Sequence, residues 1–143
     1  VEIAMFRKRW ASNHKIMIMG RKPHIEIPLW LKSADVCILP NLVDEIHQEK
    51  YTSPLKLFEY MASRKPIVAS DLPSIREVLN EENSILVKPD DAKALADGIK
   101  LALDDDALSD RISRTAYENV KEFTWDKRVA KIRDFIFRTL SMR

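Results

Sequence analysis

Ser53-Pro54-Leu55-Lys56-Leu57-Phe58-Glu59-Tyr60-Met61-Ala62-Ser63-Arg64-Lys65-Pro66-Ile67-Val68-Ala69-Ser70-Asp71 reads as a helix start, a helix, a turn and a buried strand. Ser53 suits the N-cap, and Pro54 suits the first helical position, where its missing N–H loses no hydrogen bond. The amides of Leu55 and Lys56 have no partner inside the helix, and the helix dipole lies behind them, so this end suits phosphate oxygens. Glu59 falls one turn further on, on the face shared by Leu55 and Lys56, where its carboxylate can accept from sugar hydroxyls. The pattern is that of a cradle for a nucleotide diphosphate.

On either side of this stretch, strand and helix alternate. Ile16–Met19, Val36–Leu39, Pro66–Ala69 and Ser84–Val87 are short apolar runs rich in β-branched residues, as buried parallel strands require. Helices are expected near Ile25–Lys32, Pro54–Ser63 and Ser74–Leu79. Ala92, Leu95, Ile99 and Ala102 recur at helical spacing within 91–103, as do Leu108, Ile112, Ala116 and Val120 within 107–123. Thr124 is placed to cap a last helix with the stripe Val129, Ile132, Ile136 and Leu140. Ile3, Phe6 and Trp10 share a face at the start of the chain, which reads as the tail of a helix. The fold class is therefore α/β, a doubly wound, Rossmann-like parallel sheet flanked by helices. Ligands of such sheets bind beyond the carboxyl ends of the strands. Three segments converge there: Gly20-Arg21-Lys22, residues 40–52, and Ser70-Asp71.

Composition narrows the function classes. With 143 residues and 45% hydrophobic content, the chain supports one substantial core. A net charge of +2, from 24 basic and 22 acidic residues, gives no global field that would draw it to nucleic acid. The single cysteine, Cys37, excludes an internal disulfide and fits a reducing, cytoplasmic setting. Its apolar strand context marks a buried structural thiol, not a nucleophile. No apolar stretch approaches the ~20 residues that span a bilayer. With 2 glycines in the chain there is no dinucleotide fingerprint.

Ser53-Pro54-x-Lys56-x-x-Glu59-Tyr60, followed by Lys65-Pro66-Ile67-Val68-Ala69-Ser70-Asp71, resembles the donor-binding half of the group 1 glycosyltransferases, retaining enzymes of the GT-B fold. The family's second motif glutamate falls on Glu59 and its first on Tyr51, a departure that bears on which sugar hydroxyls are read. Lys15–Gly20, 25–34, Asp35–Pro40 and Ile75–Leu79 extend the resemblance in order, over roughly residues 15 to 140.

The resemblance implies that a UDP-, GDP- or ADP-sugar is the donor substrate, that no metal or other cofactor is needed, and that transfer retains anomeric configuration. The acceptor would be a saccharide or a lipid-linked molecule, bound by a separate N-terminal domain. On this reading the chain is a fragment, lacking the first strands of its own domain and a catalytic basic pair upstream of Val1, and is inactive alone. The implied donor-binding residues are Glu59, Ser53, Pro54, Leu55, Lys56, Tyr51 and Thr52, with Gly20 and Arg21 bordering the base. Lys56 either touches phosphate or points into solvent, and Tyr51 either meets the sugar or closes its loop. Other readings are a GT-B epimerase or phosphorylase, and a non-catalytic nucleotide-sugar-binding or interaction module.

Asp44, Glu45, His47 and Glu49 crowd the 41–52 loop, but their spacing matches no ligand set, and His14 and His24 have no evident partner. Lys127, Arg128, Lys131, Arg133 and Arg138 surround the last apolar stripe. A peripheral membrane contact and a solvated outer face both fit them; the stripe's need to dock favours the second.

Overall fold

Ile67–Ser70, strand β2, is buried along its whole length. That burial follows from its position as the middle strand of a three-stranded parallel sheet, between β1 (Cys37–Leu39) and β3 (Ile85–Val87). The computed structural model describes Met5, Lys8, Arg9, Asn13, residues 15–41 and residues 55–141. Register pairs Cys37 with Ile67 and Leu39 with Ala69 on one side, and Val68 with Ile85 and Ser70 with Val87 on the other.

Successive β2 side chains face opposite ways, so each face of the sheet needs its own cover. Ile67 and Ala69 join a cluster with Leu57, Met61, Ile75, Leu79 and Ala116, drawn from α2 (Leu55–Ala62), α3 (Pro73–Arg76) with its continuation, and α5 (Asp106–Val120). Val68 faces the other way, into a cluster with Val87 and Ala102 that α4 (Ala92–Asp104) covers with Leu95 and Ile99. Helices on both faces of a parallel sheet are the doubly wound arrangement that the residue pattern predicts. Fully burying side chains such as Ile67 or Val68 contributes about 1.5–3 kcal/mol each, an upper bound against a partly collapsed unfolded chain.

The helix ends follow local chemistry. The Asp91 carboxylate accepts from the Ala94 amide at 3.0 Å, and Asp105 accepts from Leu108 at 2.9 Å. Thr124 Oγ1 accepts from the Lys127 amide at 3.3 Å and so opens α6 (Trp125–Ser141). Before the sheet, a 3₁₀ turn (His24–Glu26) leads into α1 (Ile27–Ser33).

Two sequence expectations differ from what is found. Ile16–Met19 has no place in the sheet; its side chains are 36–77% exposed. A β-branched run forms a strand only where a neighbouring ladder and a buried face receive it, and among the described residues β1 is the edge of the sheet. The α6 stripe forms as expected but is not covered, with Val129, Ile132, Ile136 and Leu140 between 49% and 63% exposed. Of the helix expected over residues 1–12, Met5, Lys8 and Arg9 are helical and the rest lies outside the described residues.

Candidate functional site

In chain order α2 follows β1, and it carries the expected carboxylate, Glu59. Leu57 and Met61 point into the core and fix the rotation of the helix. That rotation leaves Leu55 and Lys56 exposed and Glu59 at the boundary, its side chain 36% exposed. Leu55, Phe58 and Glu59 line one wall of a cavity of about 440 Å³, and Trp125, Arg128 and Lys131 of α6 line the other. Phe58 stacks at a tilt on Phe123, centroids 5.2 Å apart, which seats the start of α6 against α2.

Glu59 has a partner that the sequence did not disclose. His24 Nε2 lies 3.4 Å from Glu59 Oε1. The histidine belongs to the 3₁₀ turn that follows Gly20 and Arg21, so this turn and α2 meet at the carboxylate. Gly20 has φ 71°, a left-handed conformation that favours glycine and redirects the chain there. Arg21 is exposed. Lys22 Nζ sits 4.9 Å above the Trp30 ring, and Trp30 Nε1 donates to Glu26 at 3.4 Å, two contacts that brace the turn.

Tyr51, Thr52, Ser53 and Pro54 lie outside the described residues, as do Asp44, Glu45, His47, Glu49 and His14. Of the nine expected donor-binding residues, the structure thus places Gly20, Arg21, Leu55, Lys56 and Glu59. Leu55 and Glu59 share the cavity wall, whereas Lys56 is not part of it. Among the described residues no group of three or more histidine, cysteine, aspartate or glutamate side chains could hold a metal ion. No helix among them is long and apolar enough to cross a membrane.

Beyond the end of β2, Arg76 donates through Nη2 to Asp71 and to Glu81, both at 2.9 Å, and through Nε to Asp71. These hydrogen bonds hold both carboxyls below their ordinary range. The network ties the strand end to the loop before β3. Cys37 is buried, and burial pushes its thiol up, against the opposing pull of the Ser63 hydroxyl and the Lys65 charge. A thiol so placed is a core residue and a poor nucleophile.

The described residues thus form a parallel α/β domain with a boundary carboxylate, Glu59, on the helix that follows β1. The chain belongs to the glycosyl transferases of group 1, whose family model matches residues 3–105. It is 36% identical over 96 residues to the phosphatidyl-myo-inositol mannosyltransferase of Mycobacterium leprae, a match covering 66% of this chain and 24% of that protein. Among solved structures, it is similar to sucrose-phosphate synthase of Thermosynechococcus elongatus (TM-score 0.78, 23% identity, 99% of this chain and 34% of that one). It is also similar to Anabaena Alr3699/HepE in complex with UDP-glucose (TM-score 0.71, 21% identity, 99% and 36%). The chain thus spans about a quarter of the mannosyltransferase and about a third of each solved structure.

Proposed function

We propose that this chain is the donor-binding domain of a retaining glycosyltransferase that uses a nucleotide-diphosphate sugar. The observation that carries the reading is Glu59, set at the solvent boundary on α2 and lining the same cavity as Leu55 at the helix start. The amides of Leu55 and Lys56 would bind diphosphate oxygens, and the Glu59 carboxylate would accept from the ribose hydroxyls. Gly20 and Arg21 would border the base. Breaking the glycosidic bond places charge on the diphosphate leaving group, and preorganised amides stabilise that charge without rearranging. The acceptor, a saccharide or a lipid-linked molecule, would be held by another domain of the enzyme, and transfer would need no metal. That Alr3699/HepE was solved with UDP-glucose supports this choice of ligand class.

The test is binding of UDP, GDP and ADP by calorimetry, with nucleotide release from the matching sugars as the activity readout. One base should be preferred, and Glu59→Ala should weaken that nucleotide by about 1–3 kcal/mol, the loss of charge-assisted hydrogen bonds. Unchanged affinity in a folded Glu59→Ala protein removes Glu59 from the site.

A further inference from the structure

We propose that His24 is a positioning residue for the ribose-binding carboxylate, an inference that rests on the reading of Glu59 just given. The observation is the 3.4 Å approach of His24 Nε2 to Glu59 Oε1, made between two elements far apart in sequence. As a device for stability the contact has little to offer. His24 is 89% exposed, and an ion pair that open to solvent is screened and adds little to folding.

Its value lies in orientation. A glutamate side chain on an exposed helix face samples several rotamers, and a ligand that needs one of them must freeze the others on binding. A carboxylate has about four acceptor positions on its two oxygens. His24 stands within ion-pair distance of Oε1, draws the side chain toward that position, and leaves Oε2 open to a vicinal diol. The histidine can do this because its own turn is held in place. Gly20 turns the chain with φ 71°, and the Trp30 indole is gripped by Lys22 above its ring and by the Glu26 carboxylate at its nitrogen. His24 thereby joins the segment expected at the base to the helix expected at the ribose. Recognition of the nucleoside becomes a joint property of both.

The experiment compares affinities of the intact protein for a nucleoside diphosphate and for its 2′,3′-dideoxy counterpart. The probe is whichever of UDP, GDP and ADP binds tightest. The wild type should prefer the diol by about tenfold or more, the discrimination expected when charge-assisted hydrogen bonds are lost. His24→Ala should lower that preference by about threefold or more while leaving the thermal midpoint in place. His24→Gln, whose amide can reach the same oxygen, should restore most of it. Combined with Glu59→Ala, which abolishes the preference, His24→Ala should cause no further loss. Full preference in His24→Ala, or losses that simply add in the double variant, overturns the role of His24 and leaves Glu59 as the ribose ligand. A wild type without preference for the diol overturns the reading of Glu59, and the role of His24 with it.

Discussion

A Cβ placed on Gly98 of α4 would stand 2.6 Å from Cγ1 of Val87 in β3, closer than carbon atoms can approach. The same atom would lie 3.1 Å from Cγ1 of Val68 in β2. Here α4 rides directly on the sheet, and a glycine makes that closeness possible. Gly98→Ala gains about 1 kcal/mol of helix propensity but overpacks the interface, at about 1–3 kcal/mol. We expect a net loss of about 1 kcal/mol by urea unfolding. In a Val87→Ala background the worst clash is gone and only the 3.1 Å approach to Val68 remains, so the same substitution should cost less. Equal effects in the two backgrounds would show that the helix has room to move.

Arg64 ends the α2 turn with φ 58°, a left-handed conformation in which a side chain is strained by about 1–2 kcal/mol. Its guanidinium carbon sits 5.1 Å above the Tyr117 ring, a compensating contact. Arg64→Ala loses the ring contact and keeps the strain, while Arg64→Gly loses both. The glycine variant should therefore be the more stable of the two by about 1 kcal/mol in thermal or denaturant unfolding. The reverse order would mean that Arg64 relaxes out of the left-handed region in solution.

Asn83 is fully buried and acts as a two-way clamp. Its Oδ1 accepts from the Asn80 amide at 2.8 Å, and its Nδ2 donates to the Val78 carbonyl at 3.1 Å. Asn83→Leu takes the partner from the Asn80 amide and the Val78 carbonyl, two part-buried groups at the edge of the core, each at about 1–3 kcal/mol. The expected loss is about 2–4 kcal/mol, measured by the denaturation midpoint. A loss below about 1 kcal/mol would imply that water reaches both groups.

Asp71 and Glu81 are held below their ordinary values of 3.8 and 4.5, chiefly by hydrogen bonds from Arg76. Because the folded values lie below the unfolded ones, the stabilisation is fully present above the ordinary values. It is lost as pH falls through the depressed ones. All three groups are well exposed, so salt should weaken the effect. Unfolding midpoints followed from about pH 6 down to about pH 3 should fall more steeply in the wild type than in Arg76→Gln. Parallel curves would show that the network contributes nothing to acid sensitivity.

Much of the fold could be read from local pattern because the deciding residues act locally. Ile67, Val68 and Ala69 form an unbroken apolar run of the kind a central parallel strand, buried on both faces, requires. Asp91 and Thr124 sit where caps belong, and both side chains accept the expected amides. Ile16–Met19 carries the same strand signal yet stands outside the sheet, since strand propensity expresses the neighbours a segment finds. Glu59 was legible from its place in a helix motif; its partner His24 was not, because nothing in the chain between them encodes the approach. Asn83 reads as a turn residue among Glu81, Glu82 and Ser84, and its burial arises only once the loop closes over the core. Arg76 likewise looks like an ordinary surface charge until Asp71 and Glu81 are brought to it from either side.

On the proposed function, a nucleoside diphosphate sits at the start of α2, between Glu59 and the turn after Gly20. Amide chemical-shift mapping during titration with UDP, GDP and ADP in turn tests this directly, and it registers even weak binding. Shifts are expected at Gly20, Arg21, Leu55, Lys56 and Glu59 with at least one of the three. Shifts confined to the cavity of about 570 Å³ lined by Asp35, Arg64, Asp106 and Asp110, or no shifts with any nucleotide, would contradict it.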